Sequence, residues 1–349
     1  MKINYDVVIA TRNRPDALAL SVASILRDQR QLPKHLIIVD SSDPQFPVVE
    51  TVSQIEKDYN VKITFVKSAR ANLCYQRNLG LEQVTADVTI FPDDDSIFYP
   101  GAIDEILRIY EKDSDLVIAG ACPAEALQPP PSFPAQHVYQ QKKSDTFRKF
   151  IGATRYKIEH RLVPDPFHLI GQQLIQRSPG IPWLKDENAI KVEFMTGFRM
   201  SFRTPVIKAI KFNQAFDAYC LFEDTDASFS AYKLGVLVGA RNAHVYHHKF
   251  PARRGEGFRL GLWQVLNRAY VVAKNSEGDP FINKSLKKFI YYKLFLYALS
   301  CHSQFGRERY RGALYGIRKT PSLLKTKTAE ELDRIYLEIT NFKNYQPTN

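Results

Sequence analysis

The sequence predicts an α/β protein with a mostly parallel central sheet and a helical extension at its carboxyl end. Three observations lead there. Short apolar runs alternate with helix-patterned segments from Asp6 to Ala121, polar or acidic clusters follow several of those runs, and beyond Lys249 the composition shifts to Arg, Lys and aromatic residues.

The runs Asp6 to Ala10, Leu36 to Asp40, Val61 to Val66, Val88 to Phe91 and Leu116 to Ala121 are short and mostly apolar and read as buried strands. Ala17 to Leu26 carries the clearest helical spacing, and Pro15 suits its first turn, where a missing N–H costs nothing. This βαβα order implies parallel pairing. From Pro123 to about Glu193 the pattern lapses around Pro129-Pro130-Pro131 and Lys142-Lys143, so residues 124–191 read as an inserted, partly loop-like region. Order returns with Val192 to Phe202, a helix seeded near Glu223, and strands at Val236 to Gly239 and Ala243 to His247, which close a domain spanning residues 1–248. In residues 249–349, Arg253-Arg254-Gly255-Glu256-Gly257 reads as a mobile basic loop, and Leu260 to Lys274 and Leu286 to Ile317 as amphipathic helices. The glycines would let that loop close over a bound ligand and exclude water.

Composition bounds the classes. With 44% hydrophobic and 24% charged residues in a chain of 349, a packed core is expected and disorder or a fibrous repeat is not. Cys74, Cys122, Cys220 and Cys301 form no CxxC pair, so neither a zinc site nor a disulfide framework is expected. No basic-apolar leader opens the sequence, and the longest apolar run, Phe289 to Cys301, contains Lys293 and falls short of the roughly 20 residues of a spanning helix. A cytoplasmic location follows as the expectation. The net charge of +11 favours anionic partners. Nucleic acid is the non-enzymatic alternative, but no recognised motif supports it and an acidic crevice would repel a phosphate backbone.

In open α/β sheets ligands bind beyond the carboxyl ends of the strands, so the residues just after them are the candidates. These are Thr11-Arg12-Asn13, Asp40-Ser41-Ser42 and Asp93-Asp94-Asp95. Three carboxylates in one turn repel one another, and either a hard divalent cation relieves them, with Asp93 and Asp95 on one side of the chain, or the turn caps a helix starting near Pro100. Glu223, Asp224 and Asp226 open a helix, where the macrodipole favours acids; one of them could equally serve as a general base. His244, His247 and His248 cluster at a strand end, and imidazole beside carboxylates can complete a metal shell. Arg77 follows Asn72-Leu73-Cys74-Tyr75-Gln76 in a helical stretch, either facing a phosphate or lying on a solvated helix face.

These segments resemble, in order, those of the inverting family 2 glycosyltransferases, which have the GT-A fold. VVIATRNRP is similar to the family's first strand and nucleotide loop, LIIVDSSDP to its second, NLCYQRNLG to the arginine segment, FPDDDS to the metal and ribose motif, MTGFRMSFRTPVI to the acceptor-side loop, FEDTDASFSAYKLG to the Glu-Asp motif and AHVYHH to the histidine ending. The resemblance implies donor contacts from Thr11, Arg12, Asn13, Asp94 and Asp40, the last towards the base. It implies a diphosphate-facing Arg77, a ribose contact from Asp93, a Mn²⁺ or Mg²⁺ ion at Asp95, Asp93 and His247, and Asp224 as base supported by Glu223.

No Gln-X-X-Arg-Trp motif follows the Glu-Asp element, which implies addition of one sugar rather than processive synthesis. Arg12 stands where an aromatic is usual and Cys74 where glycine is common, leaving the nucleotide open with UDP favoured by family habit. The implied partners are a nucleotide-diphosphate sugar and a glycan or lipid-linked acceptor, in surface polysaccharide or glycan assembly. A sugar nucleotidyltransferase is the enzymatic alternative, but it wants a glycine-rich loop after the first strand and Ala10 to Arg14 has no glycine. Tyr291, Tyr292, Phe295 and Tyr297 beside Lys287, Lys288, Arg307, Arg309 and Arg311 suit either peripheral contact with the inner face of a membrane or packing on the core or in a homodimer.

Overall fold

The computed structural model describes residues 2–134, 163–216, 219–250 and 256–341. Lys142-Lys143 and Arg253-Arg254-Gly255, expected in a loop-like insertion and a closing loop, lie outside the described residues. The chain divides into two compact units, Met1–Val138 with Leu174–Pro251, and Tyr139–Gln173 with Ala252–Asn349.

The first unit is built on β1 (Tyr5–Thr11), α1 (Pro15–Leu26), β2 (His35–Asp40), α2 (Val48–Tyr59), β3 (Ile63–Lys67), α3 (Leu73–Leu81), β4 (Val88–Pro92), β5 (Ser96–Phe98), α4 (Ala102–Lys112) and β6 (Ile118–Ala126). The helix α5 (Pro166–Arg177), most of whose residues belong to the second unit, follows in the chain, and the first unit continues with β7 (Ala189–Lys191), β8 (Arg199–Arg203), α6 (Thr204–Ile210), α7 (Glu223–Tyr232) and β9 (Val236–His247). Nine strands form one sheet in the order β3-β2-β1-β4-β8-β6-β9-β5, with β7 also on β9. Pairing of β1 with β2 and β4, β2 with β3, and β6 with β9 is parallel, while β5, β7 and β8 run against their neighbours. Most strands therefore point one way, as the alternating pattern predicts. The chain leaves β1 outward to β2 and β3 and returns to β4 on the other side of β1, which makes the carboxyl ends of β1 and β4 the topological switch point. A parallel bridge from Ala10 to Asp93 extends the pairing to that edge.

The central strands are covered on both faces, with Val7, Val8, Ile9, Ile37, Ile38, Val39 and Val88 fully shielded. Pro15 at the start of α1 and the Asn72 side chain, which accepts from Tyr75 N at 2.8 Å to cap α3, fix where those helices begin. Helix α3 lies flat on the sheet because Gly80 has no side chain: a Cβ there would collide with Val8. That close approach drives Arg77, one turn earlier, into the protein.

Two expected elements are corrected. The separate strands at Val236 to Gly239 and Ala243 to His247 are one strand, whose register against β6 shifts between Pro123 and Ala124, so the interruption is an irregularity within a continuous ladder. The order expected to return over Val192 to Phe202 is an irregular stretch through Gly197 followed by the short β8.

The second unit holds α8 (Gly257–Asn275), α9 (Pro280–Ala298), α10 (Gln304–Leu324) and α11 (Ala329–Thr340). The helix expected from Leu286 to Ile317 is two, because Ser303 accepts from Gly306 N at 3.0 Å and starts a new helix. Helices α8 and α10 meet backbone to backbone, since a Cβ on Gly261 would strike Arg309 O and one on Gly312 would strike Phe258 O. Arg268 is buried with its guanidinium 4.1 Å from the Phe167 ring, 4.4 Å from Phe289 and 2.6 Å from Asp165. Tyr297 turns inward beneath the Arg309 guanidinium, whereas Tyr291 and Phe295 face solvent. No helix of the described residues is long and apolar enough to cross a membrane.

Candidate functional site

The switch point of the first unit carries the acidic turn that ends β4. Asp94 is fully buried; Thr11 Oγ1 donates to its Oδ2 at 2.7 Å and Arg14 Nη2 lies 2.5 Å from its Oδ1. The same guanidinium reaches Asp95 Oδ2 through Nη1 at 3.2 Å. Burial raises the Asp94 pKa to about 7, with Arg14 opposing. Arg14 was not among the expected site residues. Its signal was available, because three adjacent carboxylates need a cation and this one precedes the helix-starting Pro15 in the facing loop.

Asp95 is held from a second side by β9. Antiparallel pairing of Ser96 with His247 brings the imidazole to the turn, where Nε2 lies 3.3 Å from Asp95 Oδ1 and the ring stacks on Phe198 at 4.5 Å between centroids. Phe250 N donates to Asp95 Oδ2 at 3.0 Å. Burial pulls the Asp95 pKa upward, but the His247 and Arg14 contacts outweigh it and leave the carboxyl below its ordinary value. Burial likewise opposes the charged form of His247, and Asp95 overcomes it to raise the imidazole. Of the three clustered histidines, His247 is the one on the acids. His244 Nδ1 sits 3.2 Å from Asn242 O, and the His248 ring lies among Phe133, Tyr246 and Phe250.

Arg77 links this turn to the Glu-Asp pair. The side chain is 1% exposed, with Nη2 2.9 Å from Asp93 Oδ1 and 3.1 Å from Gly197 O, and Nη1 2.9 Å from Glu223 Oε1. It is therefore neither on a solvated helix face nor open to the crevice. Gly197 also donates its N–H to Asp224 Oδ2 at 2.9 Å, so the backbone of one residue touches both the arginine and the second acid of the pair. Phe222 enters α7 in the left-handed region at φ 73°, as does Cys220 at φ 48°, an approach to the helix that sets the Glu223 and Asp224 side chains at its first turn. Burial raises the Glu223 pKa well above the carboxylate range; Asp224 adds to this and Arg77 opposes it. Burial raises Asp224 as well, moderated by the N–H groups of Thr225 and Gly197.

The loop after β1 is locked to the loop after β2. Asn13, at φ 58°, donates Nδ2 to Asp43 Oδ2 at 2.7 Å, accepts from Asp43 N at 2.8 Å and donates its N–H to Ser42 Oγ. Arg12 extends half-exposed towards Asp43 at 3.8 Å. Asp40 is buried at the end of β2, its Oδ2 2.8 Å from Lys67 Nζ and its Oδ1 accepting from Ser42 N. Gln76, another residue not expected at the site, donates to the carbonyls of Thr11 and Val39 and so pins α3 beneath both loops.

Asp93, Asp95 and His247 each offer a ligand atom within 4.8 Å of the others. The donor set is two carboxylates and an imidazole, and Asp95 Oδ1 is shielded yet makes no hydrogen bond of good geometry. Oxygen-rich ligands with one nitrogen fit a divalent cation such as Mn²⁺ or Mg²⁺. The imidazole must be neutral to ligate, so loading would displace a proton from the His247–Asp95 pair.

An open α/β sheet with an acidic switch-point turn wired to a second acid pair is consistent with the GT-A fold. Residues 6–178 match the family described as Glycosyl transferase family 2. The chain thus carries a family 2 glycosyltransferase domain, and the protein is a glycosyltransferase that takes a nucleotide-sugar donor and an acceptor. No curated protein matches it. The matched stretch contains the first-strand loop, Asp40, Arg77 and the acidic turn; Glu223, Asp224 and His247 lie beyond it and join the site through the contacts above.

Proposed function

We propose that the protein inverts the anomeric centre of a single sugar as it moves that sugar from a nucleotide diphosphate, UDP by family habit, to a hydroxyl of a glycan or lipid-linked acceptor. Surface polysaccharide or glycan assembly is the setting that such an acceptor implies. The observation that carries the reading is the Gly197 backbone, whose N–H contacts Asp224 and whose carbonyl contacts the Arg77–Asp93 arm of the acidic turn.

In this reading Asp224 takes the proton of the acceptor hydroxyl while its oxygen bonds to the anomeric carbon. The bond from that carbon to the diphosphate breaks, and its electron pair leaves with the nucleoside diphosphate. The raised Asp224 pKa, caused by burial, suits a base, since a more basic carboxylate accepts the proton more readily. Glu223 and Arg77 act as positioning residues: Arg77 orients Asp93 towards donor and cation and does not itself touch the diphosphate. Thr11, Arg12, Asn13 and Asp40 form the nucleotide side, and Asp94 serves it by holding Thr11 and Arg14. A divalent cation held by Asp93, Asp95 and His247 would supply charge neutralisation at the leaving diphosphate.

Asp224→Asn is expected to lower kcat by about 10²- to 10⁴-fold with nucleotide binding unchanged. Full activity in that variant would move the base elsewhere. Direct Mn²⁺ titration followed by electron paramagnetic resonance, without donor, tests the cation site: His247→Ala should weaken binding by roughly tenfold or more. Unchanged affinity would remove His247 from the ligand set.

A further inference from the structure

We infer that the exposed face of α9 docks on an anionic membrane surface. The inference concerns the helical unit and is independent of the transfer chemistry.

Phe281, Tyr291 and Phe295 are 63, 58 and 61% exposed, and Leu299, just past the helix, is 66% exposed. Lys284, Lys287, Lys288 and Ala298 are exposed as well. At about 100° per residue these eight positions fall within an arc of about 120°. Ile282, Ser285, Leu286, Phe289, Ile290 and Tyr297 point the other way and are buried. The face is therefore one continuous strip, basic over its first turns and aromatic to aliphatic over its last, and Phe305 at the start of α10 is 41% exposed too.

The charge pattern selects the occupant. Helix α9 contains no acidic residue, and the nearest acids, Glu277 and Asp279, precede it; Asp279 is already engaged in capping Phe281 N at 2.8 Å and accepting from Gln173. A second copy docking antiparallel by twofold symmetry would bury the three lysines against the partner's aromatic turns with no acid to pair them, and lysine is depleted from the cores of such interfaces. Anionic headgroups remove that conflict, since ammonium groups pair with phosphates while aromatic rings settle at the interface and aliphatic groups enter the acyl boundary. Contact of this kind is peripheral, and no described helix is long and apolar enough to span.

The test is flotation of the full chain with vesicles of phosphatidylcholine alone and of phosphatidylcholine mixed with phosphatidylglycerol. The wild type is expected to float with the mixed vesicles and to be released by salt. Lys284→Gln, Lys287→Gln and Lys288→Gln together should weaken partitioning about 100-fold, at roughly fivefold per lysine. Tyr291→Ser, Phe295→Ser and Leu299→Ser together should weaken it at least tenfold. Both triple variants change only exposed side chains, so their melting temperatures should equal or exceed the wild type's and nucleotide binding should be unchanged. A wild type that ignores mixed vesicles overturns the proposal, as does undiminished flotation of either well-folded variant. A wild-type dimer that the apolar variant converts to monomer would assign the face to a second copy and overturn it equally.

Discussion

Two arginines serve the acidic turn from opposite sides, and their environments differ. Arg77 is sealed at 1% exposure with three partners fixed around it, whereas Arg14, 25% exposed, sits at the mouth of the turn on Asp94 and Asp95. The same residue type is thus a structural rivet in one place and a replaceable counter-charge in the other. What separates them is the guanidinium's own access to water, which sets the ease with which another cation can take its place.

The largest break is Arg77→Met. It strands Glu223 and Asp93 without their cation and should cost about 3–5 kcal/mol, measured by denaturant unfolding, with transfer abolished. A loss under about 1 kcal/mol would show that the rivet is not structural. Arg14→Gln should cost less, about 1–3 kcal/mol, because the buried Asp94, its pKa already raised to about 7, can take up a proton when its counter-charge is lost. Mn²⁺ should raise the melting temperature of that variant by more than it raises the wild type's. An equal rise would mean that guanidinium and cation do not compete. The smallest effect is a shift of pH profile on the Arg77 side: Asp224 works ionised and burial raises its pKa, so kcat/KM should fall with acidification along a limb placed above the ordinary aspartate value of about 3.9. A limb at the ordinary value would mean that solvent bathes the carboxylate.

Much of this was legible in the sequence because the central strands are buried on both faces and read as mostly apolar runs. Polar residues after those runs mark the switch point by position alone, and of the three histidines clustered at the last strand's end the family resemblance, not the spacing, singles out His247. The orientation of helix faces was not legible. Arg77 could point to phosphate or to water until Gly80 is seen to seat α3 on Val8, a contact visible only with the sheet in place. Arg14 and Gln76 were passed over because their partners, Asp94 and the carbonyls of Thr11 and Val39, are far away along the chain or are backbone atoms with no sequence mark. The break between α9 and α10 depends on one serine hydroxyl, which composition does not distinguish from a helix-interior serine.

Strand β9 is the last of the sheet to be made, yet it lies between β6 and β5 in the ladder. During synthesis β5 must wait for more than a hundred further residues before its partner leaves the ribosome, and until then the aspartates have no imidazole beside them. Such distant pairing slows folding and exposes an unfilled sheet edge to other chains. Chains truncated before His247 should therefore aggregate rather than persist as weak enzymes, which gives the cell an all-or-nothing catalyst.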